Sequence, residues 1–287
     1  MATLRPLTAS MEALAAIAAH LRVLDGAPTE PALAGQLAEV ARLSGLPTDL
    51  GPEERAIGAS LVRAFLRQAV DLVEHPERAP GWAGDDAVVV ESQGRASAIV
   101  AHIVAALPPG APLHRALSRP GARLLDVGTG VGGLAVAMAR AFGDLAVVGL
   151  DRSPEVLERA RANVAREGLE ARVTLVRGDV AELAEDARYD AVWLPGPFLS
   201  AETLASAAAR ACTALVPAGV LVVGLYGGAE PLVAAIANLR AIRSGGHAWA
   251  LPELQAVLER AGLVDVGEIP QTWPAPIRLV TARRPQA

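Results

Sequence analysis

Leu124-Leu125-Asp126-Val127-Gly128-Thr129-Gly130-Val131-Gly132-Gly133 decides how this chain is read, because it sets an aspartate two residues ahead of the first glycine of a GxGxxG loop. Arg123 to Val127 is an apolar, strand-like run and Leu134 to Ala141 a helix-forming one, so the glycines fall in a tight turn between a strand and a helix. Glycine lets the backbone reach positive φ and lets a ligand lie against the main chain without a Cβ in the way. The helix that follows offers unpaired N–H groups at its start.

Two kinds of cofactor use such a loop. A dinucleotide brings a pyrophosphate to the helix N-terminus, and a carboxylate just ahead of the loop would set negative charge beside negative charge. S-adenosylmethionine instead brings an α-ammonium and a sulfonium, so Asp126 favours it. Two further acids follow at strand ends. Ala146 to Leu150 is a second buried-strand run closed by Asp151, about twenty residues past the glycines, the spacing of an acid that holds ribose hydroxyls. Arg172 to Arg177 is a third strand followed by Gly178-Asp179-Val180. A purely structural alternative makes Asp151 a cap for the helix near Ser153-Pro154, and Asp179 a cap for a short helix over Val180 to Ala184.

LLDVGTGVGG resembles the first motif of the class I S-adenosylmethionine-dependent methyltransferases, and the acids after the second and third strands fit the same family. The resemblance covers roughly Pro120 to Arg284. It implies that Asp126, Gly128, Thr129, Gly130, Asp151 and Arg152 bind S-adenosylmethionine, that Asp179 and Val180 contact its adenine, and that Leu194 and Pro195 line the methyl-transfer site. It also implies that the stretch before the first strand folds over the methionine end, where Gln93 and Arg95 are candidates for its carboxylate, arginine by a paired, charge-assisted bond. The alternative for Arg95 is a solvated helix start.

Tyr189 to Leu194 and Gly219 to Leu225 read as fourth and fifth strands, and Ser153 to Glu167, Ala201 to Thr213 and Pro252 to Ala261 as amphipathic helices between strands. Nearly continuous apolar strands alternating with helices imply a parallel sheet covered on both faces. Leu263 to Ile269 and Ile277 to Arg283 are joined by a stretch in which Pro270, Pro274 and Pro276 forbid a helix, so the last strand should run antiparallel. The expected fold is α/β: a Rossmann-like seven-stranded, mostly parallel sheet with a reversed last strand, helices on both faces, and an α-helical N-terminal segment.

That segment, residues 1–85, shows helical periodicity over Ala9 to Leu24, Glu30 to Leu43 and Glu53 to His75 and reads as a lid or a dimerisation arm. A winged helix-turn-helix would need a β-hairpin, and none is evident. Pro76 to Asp86 is a linker rich in Pro, Gly and charge. Residues 86–119 hold Glu91 to Ser97 leading into a helix over the cofactor site, and 120–287 the Rossmann-like domain.

Composition bounds the rest. The chain has 287 residues, 52% of them hydrophobic, enough for a sizeable core, and a net charge of −5, which argues against a general nucleic-acid binder. Cys212 is the single cysteine, so no intrachain disulfide is available and cytoplasmic residence is expected. No signal core follows Met1, and the uncharged run Ala211 to Ala229 is broken by Pro217 and four glycines, so no membrane association is expected.

A sulfonium makes its methyl electrophilic, so the protein's main task is to hold a nucleophile in line. A base is optional and histidine is the natural agent. His247, in Ser244-Gly245-Gly246-His247-Ala248-Trp249 beyond the fifth strand, is the candidate base, and Tyr226 at that strand's end a candidate substrate contact. Loop packing is the alternative for His247. After the fourth strand stands Leu194-Pro195-Gly196-Pro197-Phe198, without the polar residue that amine methylation of nucleic acids uses. No acidic pair with asparagine suggests a metal. The expected activity is methyl transfer to a small-molecule acceptor, leaving S-adenosylhomocysteine, with the N-terminal helices as a candidate homodimer contact. Retention of the cofactor for another reaction, a non-catalytic partner subunit and an NAD-dependent oxidoreductase are the alternatives.

Overall fold

The computed structural model describes residues 4–81, 87–228, 230–273 and 275–286. Trp82 to Asp86 of the linker, and Pro274, lie outside them. The chain forms two compact units, one comprising Met1–Glu77 and Asp85–Ser97, the other Arg78–Gly84 and Ala98–Ala287.

The first unit is helical: α1 (Leu4–Leu24), α2 (Pro31–Leu43), α3 (Pro52–Glu74) and α4 (Ala87–Ser97). Local chemistry sets the ends. Pro31 and Pro52 open α2 and α3, Glu30 accepts from Leu33 N at 2.9 Å, and Glu54 accepts from Gly51 N at 2.7 Å. Leu21 of α1 and Ile57, Val62 and Ala64 of α3 are buried. A Cβ on Gly58 would lie 3.3 Å from Leu21 Cδ1, so glycine permits the close crossing of α1 and α3. Leu7–Leu24 has the length and mean hydropathy (1.3) of a membrane span, but it carries Glu12 and Arg22 and packs on α2 and α3. No strand occurs among the described residues of this unit, in keeping with the missing wing.

One local expectation is corrected here. Glu91 to Ser97 does lead into a helix, Ile99–Ala105, that ends before Pro108, but it is itself helical as part of α4, because the apolar run Ala87 to Val90 starts a helix earlier and a single Gly94 is tolerated inside it.

In the second unit, α5 (Ile99–Ala105) and α6 (Pro112–Ser118) precede a seven-stranded sheet. Its strands are β1 (Arg123–Val127), β2 (Ala146–Asp151), β3 (Val173–Arg177), β4 (Tyr189–Pro195), β5 (Leu215–Tyr226), β6 (Val264–Glu268) and β7 (Ile277–Arg283), in the order β3-β2-β1-β4-β5-β7-β6. All pairings from β3 to β5 are parallel, and β7 runs antiparallel to both of its neighbours, as the helix-free return implied. The intervening helices are α7 (Gly133–Ala141), α8 (Pro154–Arg166), α9 (Ala201–Ala214), α10 (Pro231–Arg243) and α11 (Leu251–Arg260).

The core lies between the central strands and α9 and α11. Leu125, Val192, Leu194, Leu221 and Val223 meet Ala207, Ala208 and Ala211 of α9 and Leu254 and Leu258 of α11, all buried. Three alanines along α9 bring that helix close to the sheet. β5 begins four residues before Gly219: Leu215 pairs with Tyr189, then Pro217, Ala218 at φ 62° and Gly219 form an irregularity before Val220 pairs with Ala191. α6 and α10 were not anticipated. α6 spans only seven residues, and α10 (PLVAAIANLRAIR) has apolar residues on all sides, which erases the periodic signal.

Candidate active site

The switch from β1 to β4 opens a crevice at the carboxyl ends of the strands, where ligands bind in open α/β sheets. The glycine loop sits there. Gly128, Gly130 and Gly132 have φ of 64°, 56° and 78°, a left-handed geometry that side chains resist. A Cβ on Gly128 would lie 3.2 Å from Pro195 Cγ, so the loop of β1 touches the end of β4. Gly149 of β2 serves the same turn from behind: a Cβ there would lie 2.7 Å from Thr129 Oγ1 and 2.8 Å from Leu175 Cδ2.

Three acids surround this loop. Asp126 is 1% exposed and accepts from Thr129 Oγ1 at 2.7 Å. Burial raises its pKa to about 7; the Thr129 hydroxyl opposes the shift, and the negative charge of Asp151 adds to it. Asp151 uses both oxygens on its own backbone, accepting from Gly130 N at 2.9 Å and from Ser153 N at 3.0 Å. It pins the glycine loop to the end of β2. The cap of α8 is Ser153, which accepts from Val156 N at 3.2 Å, so Asp151 supports the turn ahead of that helix. Asp179 accepts from Ala181 N at 2.9 Å and caps the 3-10 turn Val180–Glu182. The structural reading therefore holds for Asp179, yet a carboxylate has about four acceptor directions, and the cap occupies one.

This donor and acceptor set suits one cofactor better than the other. The loop Asp126 to Gly133 contains no basic side chain and has a buried carboxylate at its root. A ligand with an ammonium group and hydroxyls fits it, and a pyrophosphate does not. S-adenosylmethionine would be held at the turn by Asp126 and by the remaining acceptor directions of Asp151, with Val180, 5% exposed, as an apolar wall beside Asp179. Arg152 is exposed at the end of β2.

The end of β4 adjoins the glycine loop. Leu194 and Pro195 are buried there, followed by the 3-10 turn Gly196–Phe198. A Cβ on Gly246 would lie 2.4 Å from Pro197 O, so the loop carrying His247 rests backbone to backbone on this turn. Contact is thus continuous from Gly128 through Pro195 to His247. His247 Nε2 lies 3.0 Å from Glu253 Oε1, in the first turn of α11, and its ring meets that of Trp249 edge-on with centroids 4.6 Å apart. Its side chain is 38% exposed. Phe198 meets Tyr226 edge-on at 6.3 Å. Burial raises the Tyr226 pKa to about 12, opposed by the charge of Arg240 on α10, so the phenol is neutral at physiological pH.

Of the residues singled out in the sequence, the second unit gathers Asp126, Gly128, Thr129, Gly130, Asp151, Arg152, Asp179, Val180, Leu194, Pro195, Tyr226 and His247 at the carboxyl ends of its strands. Gln93 and Arg95 lie on α4 of the first unit, the former half-buried and the latter exposed. Glu253 and Trp249 were missed. Glu253 follows His247 by six residues across a loop-to-helix boundary, a spacing that no helical or strand period brings together. Among the described residues no cluster of three or more His, Cys, Asp or Glu could hold a metal ion.

Residues 124–219 match the family model described as a methyltransferase domain. The ribosomal protein uL3 glutamine methyltransferase of Bradyrhizobium diazoefficiens is 42% identical over 84 residues, 29% of this chain and 26% of that protein. The sterol 24-C-methyltransferase erg6 of Aspergillus fumigatus is 32% identical over 177 residues, 60% of this chain and 43% of that protein. The chain thus spans less than half the length of these curated relatives. Among solved structures, apo SibL, an S-adenosylmethionine-dependent methyltransferase, shares the fold with a TM-score of 0.65 at 24% identity, covering 99% of each chain. The mitomycin 7-O-methyltransferase MmcR does so with a TM-score of 0.63 at 21% identity, covering 98% of this chain and 97% of its own. With its glycine loop, its three strand-end acids and its reversed seventh strand, the second unit has the fold of these methyltransferases, and residues 124–219 match the methyltransferase-domain family.

Proposed function

We propose that this protein transfers the methyl group of S-adenosylmethionine to a small-molecule acceptor, leaving S-adenosylhomocysteine, and that His247 takes the proton of the acceptor's nucleophile. When bound, the cofactor supplies a methyl group made electrophilic by its positive sulfur. Asp151 holds the glycine loop in shape for it, and Asp126 answers its ammonium. Glu253 accepts from the Nε2–H of His247, which leaves Nδ1 with its lone pair free to act as a base. Leu194, Pro195 and Phe198 keep water from the line of transfer.

The observation that carries this reading is the unbroken contact from Gly128 through Pro195 and Pro197 to the His247 loop, which joins the cofactor cradle to a base held by a carboxylate. Relatives named for glutamine residues of proteins, for a sterol and for mitomycin are all methyltransferases and differ in the acceptor they are named for. MmcR, named for an O-methyl transfer to a small molecule, shares the fold over 98% of this chain, and that favours a small acceptor bearing a hydroxyl. The N-terminal helices are assigned to self-association through Leu7, Met11 and Leu14 of α1, which are 55%, 54% and 44% exposed along one side. Calorimetry with S-adenosylmethionine, S-adenosylhomocysteine and NAD tests the cofactor assignment. Micromolar binding of the first two and none of the third is expected, and binding of NAD alone would overturn it. A screen of hydroxylated aromatics with methyl-labelled S-adenosylmethionine then tests the acceptor class.

A further inference from the structure

Helix α10 carries its side chains inside out. Leu232, Val233, Ile236, Leu239 and Ile242 are between 37% and 63% exposed, while the small Ala237 and Ala241 are buried. At the helical spacing Leu232, Ala235, Ile236, Leu239 and Ile242 fall on one side, opposite Ala234, Ala237 and Ala241. A surface helix ordinarily turns its large apolar residues to the core, and this one turns them to solvent. The five side chains expose roughly 400 Å² of apolar surface, a size at which a contiguous patch on a soluble protein marks an interaction site. No charged side chain interrupts the helix from Pro231 to Leu239. Arg240 lies at the edge of the face, where burial lowers its pKa, and Arg243 is turned onto Arg78 O at 3.1 Å.

We propose that this face docks a second copy of the chain, with α10 of one protomer running antiparallel to α10 of its partner across a two-fold axis near Ala237. A face without charge lacks the pattern by which a foreign partner is selected, and homodimer interfaces are the most apolar class. Two-fold symmetry requires a surface that complements itself, and this one does. Leu239 of one copy then lies over Ala235 of the other, a large residue on a small one, Leu232 lies over Ile242, and the two helix dipoles oppose each other. The 13 residues of α10 run about 20 Å, and the five side chains with their copies bury about 800 Å², the size of a weak, reversible complex. The pairing needs neither α1 nor the cofactor. It bears on the second unit's chemistry all the same, because the amides of Gly245 and Gly246 donate to Ile242 O at 3.0 Å and Ala241 O at 2.9 Å, so the paired helix also carries the His247 loop.

Sedimentation velocity of the full chain from about 1 to about 300 μM tests this, with a monomer passing to a dimer as the expected result. Ile236→Glu and, separately, Leu239→Arg place a charge in the middle of the face and should each weaken the dimer at least about tenfold. Both positions are exposed, so each variant should keep the parent's thermal unfolding, and either one suffices if the other folds poorly. Leu7→Glu with Met11→Glu on α1 is the comparison. A dimer broken by the α10 variants and kept by the α1 pair supports α10 and removes the α1 assignment, and a dimer broken by either set supports both contacts. The orientation is read by cross-linking: with Cys212→Ser throughout, an equal mixture of Ala235→Cys and Leu239→Cys chains should form an interchain disulfide faster than either chain alone. A monomer at the highest concentration overturns the proposal and leaves the face to a different protein. A dimer that both α10 variants retain also overturns it, and cross-linking no faster in the mixture overturns the antiparallel pairing.

Discussion

The two halves of the crevice are built by different means. The cofactor half, at the ends of β1 to β3, consists of backbone and short acids: three glycines at positive φ, and carboxylates that bond to amides two to twenty-one residues away in sequence. The half proposed for the acceptor, at the ends of β4 and β5, consists of separate side chains on irregular segments, with His247, Trp249 and Glu253 brought together by a loop that rests on Pro197. A backbone site tolerates almost no change and serves one ligand. A side-chain site on the same sheet can be rewritten residue by residue without disturbing the first.

Substitutions should separate the halves, and the largest effect belongs to the backbone side. Asp151→Ala frees the amides of Gly130 and Ser153 and removes the ribose acceptor. Affinity for S-adenosylhomocysteine should fall about 100-fold by calorimetry, from two or three charge-assisted bonds. Cooperative thermal unfolding should be retained, and its loss would show that Asp151 acts on folding and not on the cofactor alone.

His247→Ala should lower kcat by about 100-fold while S-adenosylhomocysteine binding stays within twofold, a split that a merely structural histidine would not produce. Glu253→Gln should lower kcat several-fold by weakening the hold on the ring. An unchanged kcat in His247→Ala would remove the base and leave the acceptor half with positioning alone.

Asp126 gives a pH signature confined to the cofactor half. Its pKa rises on folding from 3.8 to about 7, so between these values the folded protein holds a proton that the unfolded chain has lost. The stability this contributes is complete below pH 4 and is lost as pH rises toward 7. Asp126→Asn should therefore match the parent at pH 4 and exceed it by roughly 1–3 kcal/mol at pH 8 in the cofactor-free state, read from denaturant melts. Cofactor affinity should move the other way, rising in the parent between pH 6 and 8 as Asp126 ionises and becoming flat and about tenfold weaker in Asp126→Asn. Equal pH slopes in the two proteins would show that Asp126 does not meet the ammonium.

The same contrast explains what could be read from the sequence. Strand, glycine turn and helix leave periodic and compositional marks, so β1, β2, β4 and β7 fall within a residue of their expected limits, and the three acids sit at strand ends as their spacing implied. Where backbone irregularity decides, the marks fail: β5 starts at Leu215 because Ala218 adopts positive φ, which no local propensity of alanine favours. α10 went unread because Leu232, Ile236 and Leu239 face solvent while Ala237 and Ala241 face inward, so its apolar residues trace no stripe. In the acceptor half, His247 and Tyr226 could be named from their place after β5. Their partners could not, since pairing across a loop has no period.

The docking of Gly246 on Pro197 has a consequence for redesign. A mutational library aimed at new acceptors should hold positions 196 and 246 as glycine, because a methyl group at either would lie within 3 Å of backbone oxygen. Diversity belongs at exposed positions beside the small recess next to His247, such as Asn238, and not at Trp249, which is 6% exposed and part of the core. Such a library varies the reader of the acceptor and leaves the donor machinery untouched, so its failures will report on specificity and seldom on folding.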